Sequence, residues 1–196
     1  MTLILASGSA ARRRMLEAAG LRFEIVAPAM DEEVLKAELR ADGCAPREQA
    51  MLLAERKALS VSRTRSGLVI GADQMLALGD EVFDKPANAV AARDHLLRLR
   101  GRTHELLTAA VVAHNDSIVW RRLDAPVLTM RMFSREFLDA YLAGVDERVL
   151  HSVGAYQLEG LGAQLFDSVE GDYFSVLGLP LLPLLAFLRE QGVAPT

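Results

Sequence analysis

The chain has 196 residues, 51% of them hydrophobic, and a formal net charge of −4. That length and apolar content can bury a full core as one domain or two closely joined lobes, and the acidic balance speaks against a general nucleic-acid binder, which carries a basic excess. Cys44 is the only cysteine, which excludes an intrachain disulfide framework and a cysteine-rich zinc site and fits a reducing cytoplasm.

Residues 3–6 form an apolar run too short for a signal-peptide core and read as a buried strand. Two small hydroxyl residues flanking a glycine, Ser7-Gly8-Ser9, then lead into a helix from about Ala10 that Gly20 closes. Arg12, Arg13 and Arg14 open that helix. Amide groups at a helix N-terminus favour an anion, and arginine adds forked, permanently charged donors matched to phosphate oxygens. The stretch predicts a polyphosphate site. It lacks the GxxxxGK[ST] spacing of a P-loop. The alternative is a helix that merely begins with solvated basic residues.

Residues 23–26 read as a second strand, and Pro28 and Asp31 mark a loop leading to the acidic cluster Asp31-Glu32-Glu33. Pro46 starts a long helix through about Val61, with Leu52, Leu53, Ala54 and Leu59 on its apolar face. Residues 68–72 have the pattern of a short central strand, with Asp73 at its C-terminal end. Gly79-Asp80 predicts a hairpin between 75–78 and 81–83. Residues 89–99 are helical in pattern and end near Gly101. Two long strands, 104–113 and 117–132, meet at Asn115-Asp116, and Ser134 caps a helix through about Leu142. Short glycine-punctuated segments follow Gly154. The apolar run 176–188, interrupted by Pro180 and Pro183, falls short of the ~20 residues needed to span a bilayer and reads as a buried C-terminal helix. Strands alternating with helices, plus antiparallel hairpins, imply an α/β domain with a mixed sheet.

Asp73 is the leading candidate for chemistry. Ligands of open α/β sheets bind at the carboxyl ends of strands, and a carboxylate there holds a divalent metal or accepts a proton from water. Its plainer role is to cap a turn. Glu32 and Glu33 offer further oxygen ligands of the kind magnesium prefers, or are simply solvated. Lys57 and Lys85 are candidate phosphate partners, each with a surface lysine as the bland alternative. The four histidines have no metal-ligand spacing; His104 and His151 read equally as structural or functional, and Trp120 reads as packing.

Taken in order, these pieces resemble the Maf family of nucleotide pyrophosphatases over nearly the whole chain. The family's LAS-x-S-P-R-R is matched from Leu5 to Arg12, with Ala10 in place of the proline. Its Asp-Glu pair is Asp31-Glu32, its LA-x-x-KA runs from Leu53 to Ala58, and its GAD strand end is Gly71 to Asp73. The KP pair is Lys85-Pro86, G-x-x-H is Gly101 with His104, GAY is Gly154-Ala155-Tyr156, and GLP is Gly178-Leu179-Pro180.

The resemblance implies a single elongated α/β domain over residues 1–196, a twisted mixed β-sheet flanked by helices, with two lobes around a cleft as a variant. It implies hydrolysis of the α–β bond of a nucleoside triphosphate, giving the monophosphate and pyrophosphate with a divalent metal (magnesium, manganese or cobalt). Asp73 becomes the catalytic base or metal-orienting acid, with Glu32 contributing to the metal. Ser7, Ser9, Arg12, Arg13, Lys57 and Lys85 become the phosphate-binding set.

One branch of the family, acting on dTTP and UTP, has arginine at the position of Ala11, threonine at Gln74 and glutamine at Glu159. The branch acting on 7-methyl-GTP shares Gln74, His151 and Glu159 with this chain but often carries tryptophan at Ala11. A carboxylate at Glu159 suits guanine's donor edge. The expected partners are therefore a nucleoside triphosphate and a second copy in a homodimer, with no nucleic acid polymer and no membrane, in the cytoplasm. The alternatives are a dTTP/UTP pyrophosphatase, a general phosphatase, or a non-catalytic nucleotide-binding regulator of septum formation.

Overall fold

In a computed structural model that describes residues 1–195, the chain opens with strand β1 (Leu3–Ala6), all four residues buried, and turns into helix α1 (Ala10–Ala18). Ser9 caps α1 through its side chain, which accepts from the Arg12 amide, and Gly20 closes it at φ +75°. Strand β2 (Glu24–Ile25) runs parallel to β1. The acidic cluster is not loop, as its composition implied, but the start of helix α2 (Glu32–Ala41). Asp31 caps it by accepting from the amides of Glu33 and Val34, and the acids Glu32 and Glu33 suit the positive helix terminus.

Helix α3 (Pro46–Ser62) has proline at its first position, as the sequence predicts, and buries Ala50, Leu53, Ala54, Lys57, Ala58 and Val61 on one face. Strand β3 (Leu68–Leu78) follows it and is longer than expected, since 68–72 and 75–78 are one strand of eleven residues. Asp73 therefore sits mid-strand rather than at a strand end. The reason is the strand Thr103–His114, β5, which pairs with β3 without interruption from Val69 to Ala77.

The hairpin to β4 (Glu81–Phe83) turns at Gly79-Asp80, with Gly79 at φ +62°. Helix α4 (Ala89–Leu99) follows, capped by Asn88. Strand β5 (Thr103–His114) returns through Asn115 and Asp116, both at positive φ, into β6 (Ser117–Asp124). The expected single strand 117–132 is two, because Ala125-Pro126 ends β6 and β7 (Val127–Met130) starts afresh against the other end of β5.

Helix α5 (Arg135–Gly144) is capped by Ser134. Three short 3-10 turns precede strand β8 (Phe166–Glu170), which the sequence reading missed. The C-terminal run is not one helix: α6 (Tyr173–Val176) and α7 (Leu181–Glu190) are separated by a turn at Gly178-Leu179-Pro180.

Among the described residues, eight strands make one mixed sheet in the order β2-β1-β3-β5-β7-β8, with β4 also on β3 and β6 also on β5. Only β2-β1 and β1-β3 are parallel. The α/β class and the mixed sheet thus stand. Side chains alternate between faces along β3. Met75 and Ala77 pack with α3 residues on one face, while Ile70 and Ala72 pack with α1 and α7 on the other. No helix among the described residues is long and apolar enough to cross a membrane.

Candidate functional site

Two strands share one edge of β3 and leave a gap between them. β1 pairs with Leu68 to Gly71 and stops, and β4 begins its pairing at Leu76. Among the described residues, 72–75 have β5 on one side and no strand on the other. Asp73 and Gln74 lie in that gap, where β1 departs into the Ser7–Ser9 turn. A cleft of about 430 Å³ opens there.

Gly71 lets α3 approach this part of β3. A Cβ on it would lie 2.3 Å from the carbonyl oxygen of Ala54 and 2.6 Å from the amide of Ala58. With Ala54 and Ala58 also small, the helix sits against the strand and Lys57, on the same face, reaches Asp73. Lys57 Nζ lies 2.6 Å from Asp73 Oδ1 and 2.7 Å from Glu32 Oε2. Both side chains of the Lys57–Asp73 pair are 7% exposed. The other carboxylate oxygen, Asp73 Oδ2, is buried and has no hydrogen-bond partner among the described residues.

Helix α2 supplies the second acid. Glu32, Lys36 and Arg40 are spaced by four and share one helix face. Lys36 Nζ is 3.2 Å from Glu32 Oε1, 3.1 Å from Glu33 Oε1 and 3.7 Å from Asp84 Oδ1, and Arg40 donates to both oxygens of Asp84 at 2.9 Å. Burial alone would raise the Glu32 pKa, but Lys57 and Lys36 outweigh it and hold it down at about 2. Lys36 lines the cleft and was not anticipated; its place one turn after Glu32 was the available signal.

The first helix supplies the opposite wall. Arg12 is one turn into α1, on the buried face with Met15 and Leu16, and is itself only 8% exposed. Its Nε donates to the Gly178 carbonyl at 2.9 Å and its Nη1 to Ser7 Oγ at 3.2 Å. Ser7 Oγ also accepts from the Ser9 amide. Among the described residues no carboxylate lies within ion-pair distance of Arg12. Burial lowers its pKa from the ordinary value, while Asp73 and Glu32 pull the other way.

Lys85 likewise has no such partner among the described residues. It stands at the mouth of the cleft, its pKa lowered by burial against the walls and by Arg12, Lys57 and Lys36, with Glu32 opposing. A buried guanidinium and a lysine that line one cleft with no carboxylate at ion-pair distance among the described residues have the chemistry to hold an anion.

Most of the sequence candidates meet here. Ser7, Ser9, Ala11, Arg12, Glu32, Lys57, Asp73, Gln74, Lys85 and Glu159 all line the cleft. Arg13 does not; it points outward and pairs with Glu17, because a residue one step along a helix is turned about 100° from Arg12. Gln74 faces the side of β3 opposite Asp73, and its amide nitrogen donates to Thr108 Oγ1, Ser175 O and Val176 O at 2.8, 2.9 and 3.1 Å.

Glu159 is 3.7 Å from Arg14 across the rim, and His151 lines the same cleft. His104 is buried outside it: its Nε2 is 2.7 Å from Tyr156 Oη, and burial pushes its pKa down to about 4. Trp120 stacks on Phe187.

Two carboxylates and one bare oxygen suit a divalent cation that brings its own remaining ligands. Magnesium typically takes one or two carboxylates plus waters and substrate phosphates, and among the described residues no group of three His, Cys, Asp or Glu gathers as a complete protein cage.

The family model described as "Maf-like protein" matches residues 2–191. The chain is 54% identical over 196 residues to a nucleoside triphosphate pyrophosphatase of Hyphomonas neptunium, covering 100% of this chain and 99% of that protein. It is 52% identical over 191 residues to a 7-methyl-GTP pyrophosphatase of Mesorhizobium japonicum, with 97% and 96% covered. A nucleoside triphosphate pyrophosphatase of Paramagnetospirillum magneticum is 54% identical over 190 residues, with 96% and 98% covered. With a family match and relatives that both run almost from end to end, the chain belongs to the Maf family.

Proposed function

We propose that this chain is a metal-dependent nucleoside triphosphate pyrophosphatase that cleaves the α–β anhydride to give a nucleoside monophosphate and pyrophosphate. The observation that carries the reading is the Arg12 guanidinium, buried and without a carboxylate partner among the described residues, on the same cleft as the Lys57-clamped Asp73. A triphosphate supplies the negative charge that Arg12 and Lys85 lack, and the further charge that cleavage puts on the departing pyrophosphate would be met by a bound divalent cation. The cleft volume fits one small ligand rather than a polymer.

Asp73 acts on the attacking water. Its Oδ1 is held by Lys57, so Oδ2 is left to accept the water's proton or orient it. The water oxygen bonds to the α-phosphorus, and the bridging oxygen leaves with pyrophosphate. Glu32 and Asp73 are the residues to hold a divalent cation, which when bound would withdraw charge from the anhydride oxygens. Lys57 sits between these two carboxylates and keeps them from repelling each other.

The base subsite is a purine site in this reading. Glu159 presents a carboxylate to the cleft, and Gln74, its nitrogen donating to Thr108 Oγ1 and to the carbonyls of Ser175 and Val176, keeps its oxygen as an acceptor. Both accept, which suits a donor edge such as that of 7-methyl-GTP.

The test is pyrophosphate release from a panel of 7-methyl-GTP, GTP, UTP and dTTP with magnesium, manganese or cobalt. Asp73→Asn should lower kcat by ~10² or more while triphosphate binding survives. Orthophosphate as the sole product, or binding with no hydrolysis across the panel, would overturn the reading.

A further inference from the structure

Residues around the GLP turn have no role in the chemistry above, yet three of their carbonyls hold the side chains that face the ligand. Gly178 O accepts from Arg12 Nε at 2.9 Å. Ser175 O and Val176 O accept from Gln74 Nε2, and Ser175 O also accepts from Thr108 Oγ1 at 2.8 Å. Gly178 is at φ +110°, a conformation that aims its carbonyl at Arg12 and that L side chains rarely adopt. One short segment thus sets the direction of the guanidinium and of the carboxamide.

What holds this segment is a buried hydroxyl between two acids. Ser175 is fully buried. Its Oγ lies 2.7 Å from Asp172 Oδ2 and 2.9 Å from Asp124 Oδ2, so a single proton serves two carboxylates. Asp172 Oδ2 also accepts from the Ser175 amide at 2.6 Å, capping α6. Asp124, at the end of β6, ties that cap to the sheet.

We infer that Asp172 and Ser175 are positioning residues: by fixing the α6 turn they aim Arg12 and Gln74 into the cleft. For its kinetic consequence the inference rests on the triphosphate reading above. Without the cap, the carbonyls lose their register, and Arg12, whose Nε has no other acceptor among the described residues, turns away from the phosphate position. Because Arg12 contacts phosphate in ground and transition states alike, the loss falls on KM more than on kcat.

The experiment compares Asp172→Ala, Asp172→Asn and Ser175→Ala with the wild type. In the free protein, ¹⁵N NMR reads the Arg12 Nε–H and Gln74 side-chain amide signals, which are slow to exchange when hydrogen-bonded to carbonyls. Asp172→Ala should move both towards solvent-exposed values and raise the KM or Kd for triphosphate about tenfold with kcat within a few-fold. Asp172→Asn, which still caps, should restore them. Ser175→Ala keeps the backbone cap and gives a smaller shift of the same signals, so it carries the test if Asp172→Ala does not fold. Unmoved Arg12 and Gln74 signals in either folded alanine variant would overturn the inference. A wild type that releases no pyrophosphate would instead overturn the activity reading, and the NMR comparison would still decide this one.

Discussion

Among the described residues Lys57 is held by two acids and Arg12 by none, and that asymmetry organises the site. Removing Lys57 would leave Asp73 and Glu32 facing each other partly buried, whereas removing Arg12 would leave only neutral acceptors behind. Glu32 provides a pH signature of the arrangement. A carboxylate depressed in the folded state contributes its full stability above its unfolded value of 4.5 and loses it as the pH falls towards about 2. Thermal unfolding of wild type and Glu32→Gln should therefore differ most at neutral pH and converge between those two values. A constant difference across that window would mean that Lys57 and Lys36 do not hold Glu32 as described.

At the scale of elements, the site depends on how closely α3 can lie against β3. Gly71→Ala places a methyl against the α3 backbone at Ala54 and Ala58, which cannot rotate away as a side chain would. The helix must shift, at a cost of roughly 1–3 kcal/mol, and the Lys57–Asp73 contact lengthens with it. Denaturant unfolding should show that loss, and pyrophosphate release should fall further than stability alone explains. Normal turnover in a destabilised variant would show that this close approach is not what positions Lys57.

Helix ends were legible at this level. Ser134 accepts from the amide three residues on, as the sequence predicts, and Ser9 and Asn88, not singled out as caps, do the same at the helix starts expected near Ala10 and Ala89; such contacts are local. The α2 start was not recognised although Asp31-Glu32-Glu33 is a good cap sequence, because Pro28 and clustered charge also describe a loop. Strand lengths were less legible, because β3 continues only where β5 pairs with it, and β7 is separated from β6 only by the Ala125-Pro126 break.

Across the whole molecule, the cleft gathers cations from α1, α2, α3 and the segment after β4, and of the four acids among its described lining residues Glu32 and Asp73 meet at Lys57. A cation held by so few protein ligands should bind weakly alone and much more tightly with a triphosphate. Calorimetry with magnesium or manganese, with and without a non-hydrolysable analogue, checks this. Chelation should abolish pyrophosphate release, and added magnesium, manganese or cobalt should restore it. Full turnover in chelator would remove the metal from the proposal.

Residue order by itself determined the chemistry available: a helix led by arginines, an apolar run followed by Asp73-Gln74, and lysines at 57 and 85. Caps, turns and periodicity act over a few residues, so one chain segment specifies each of them. Only the tertiary structure decided that Asp73 stands in the gap between β1 and β4, that Arg13 faces away, and that Gly178, 166 residues from Arg12 along the chain, holds its guanidinium. Those relations depend on which strand ends beside which and how closely a helix packs, and such contacts are created by the sheet as a whole.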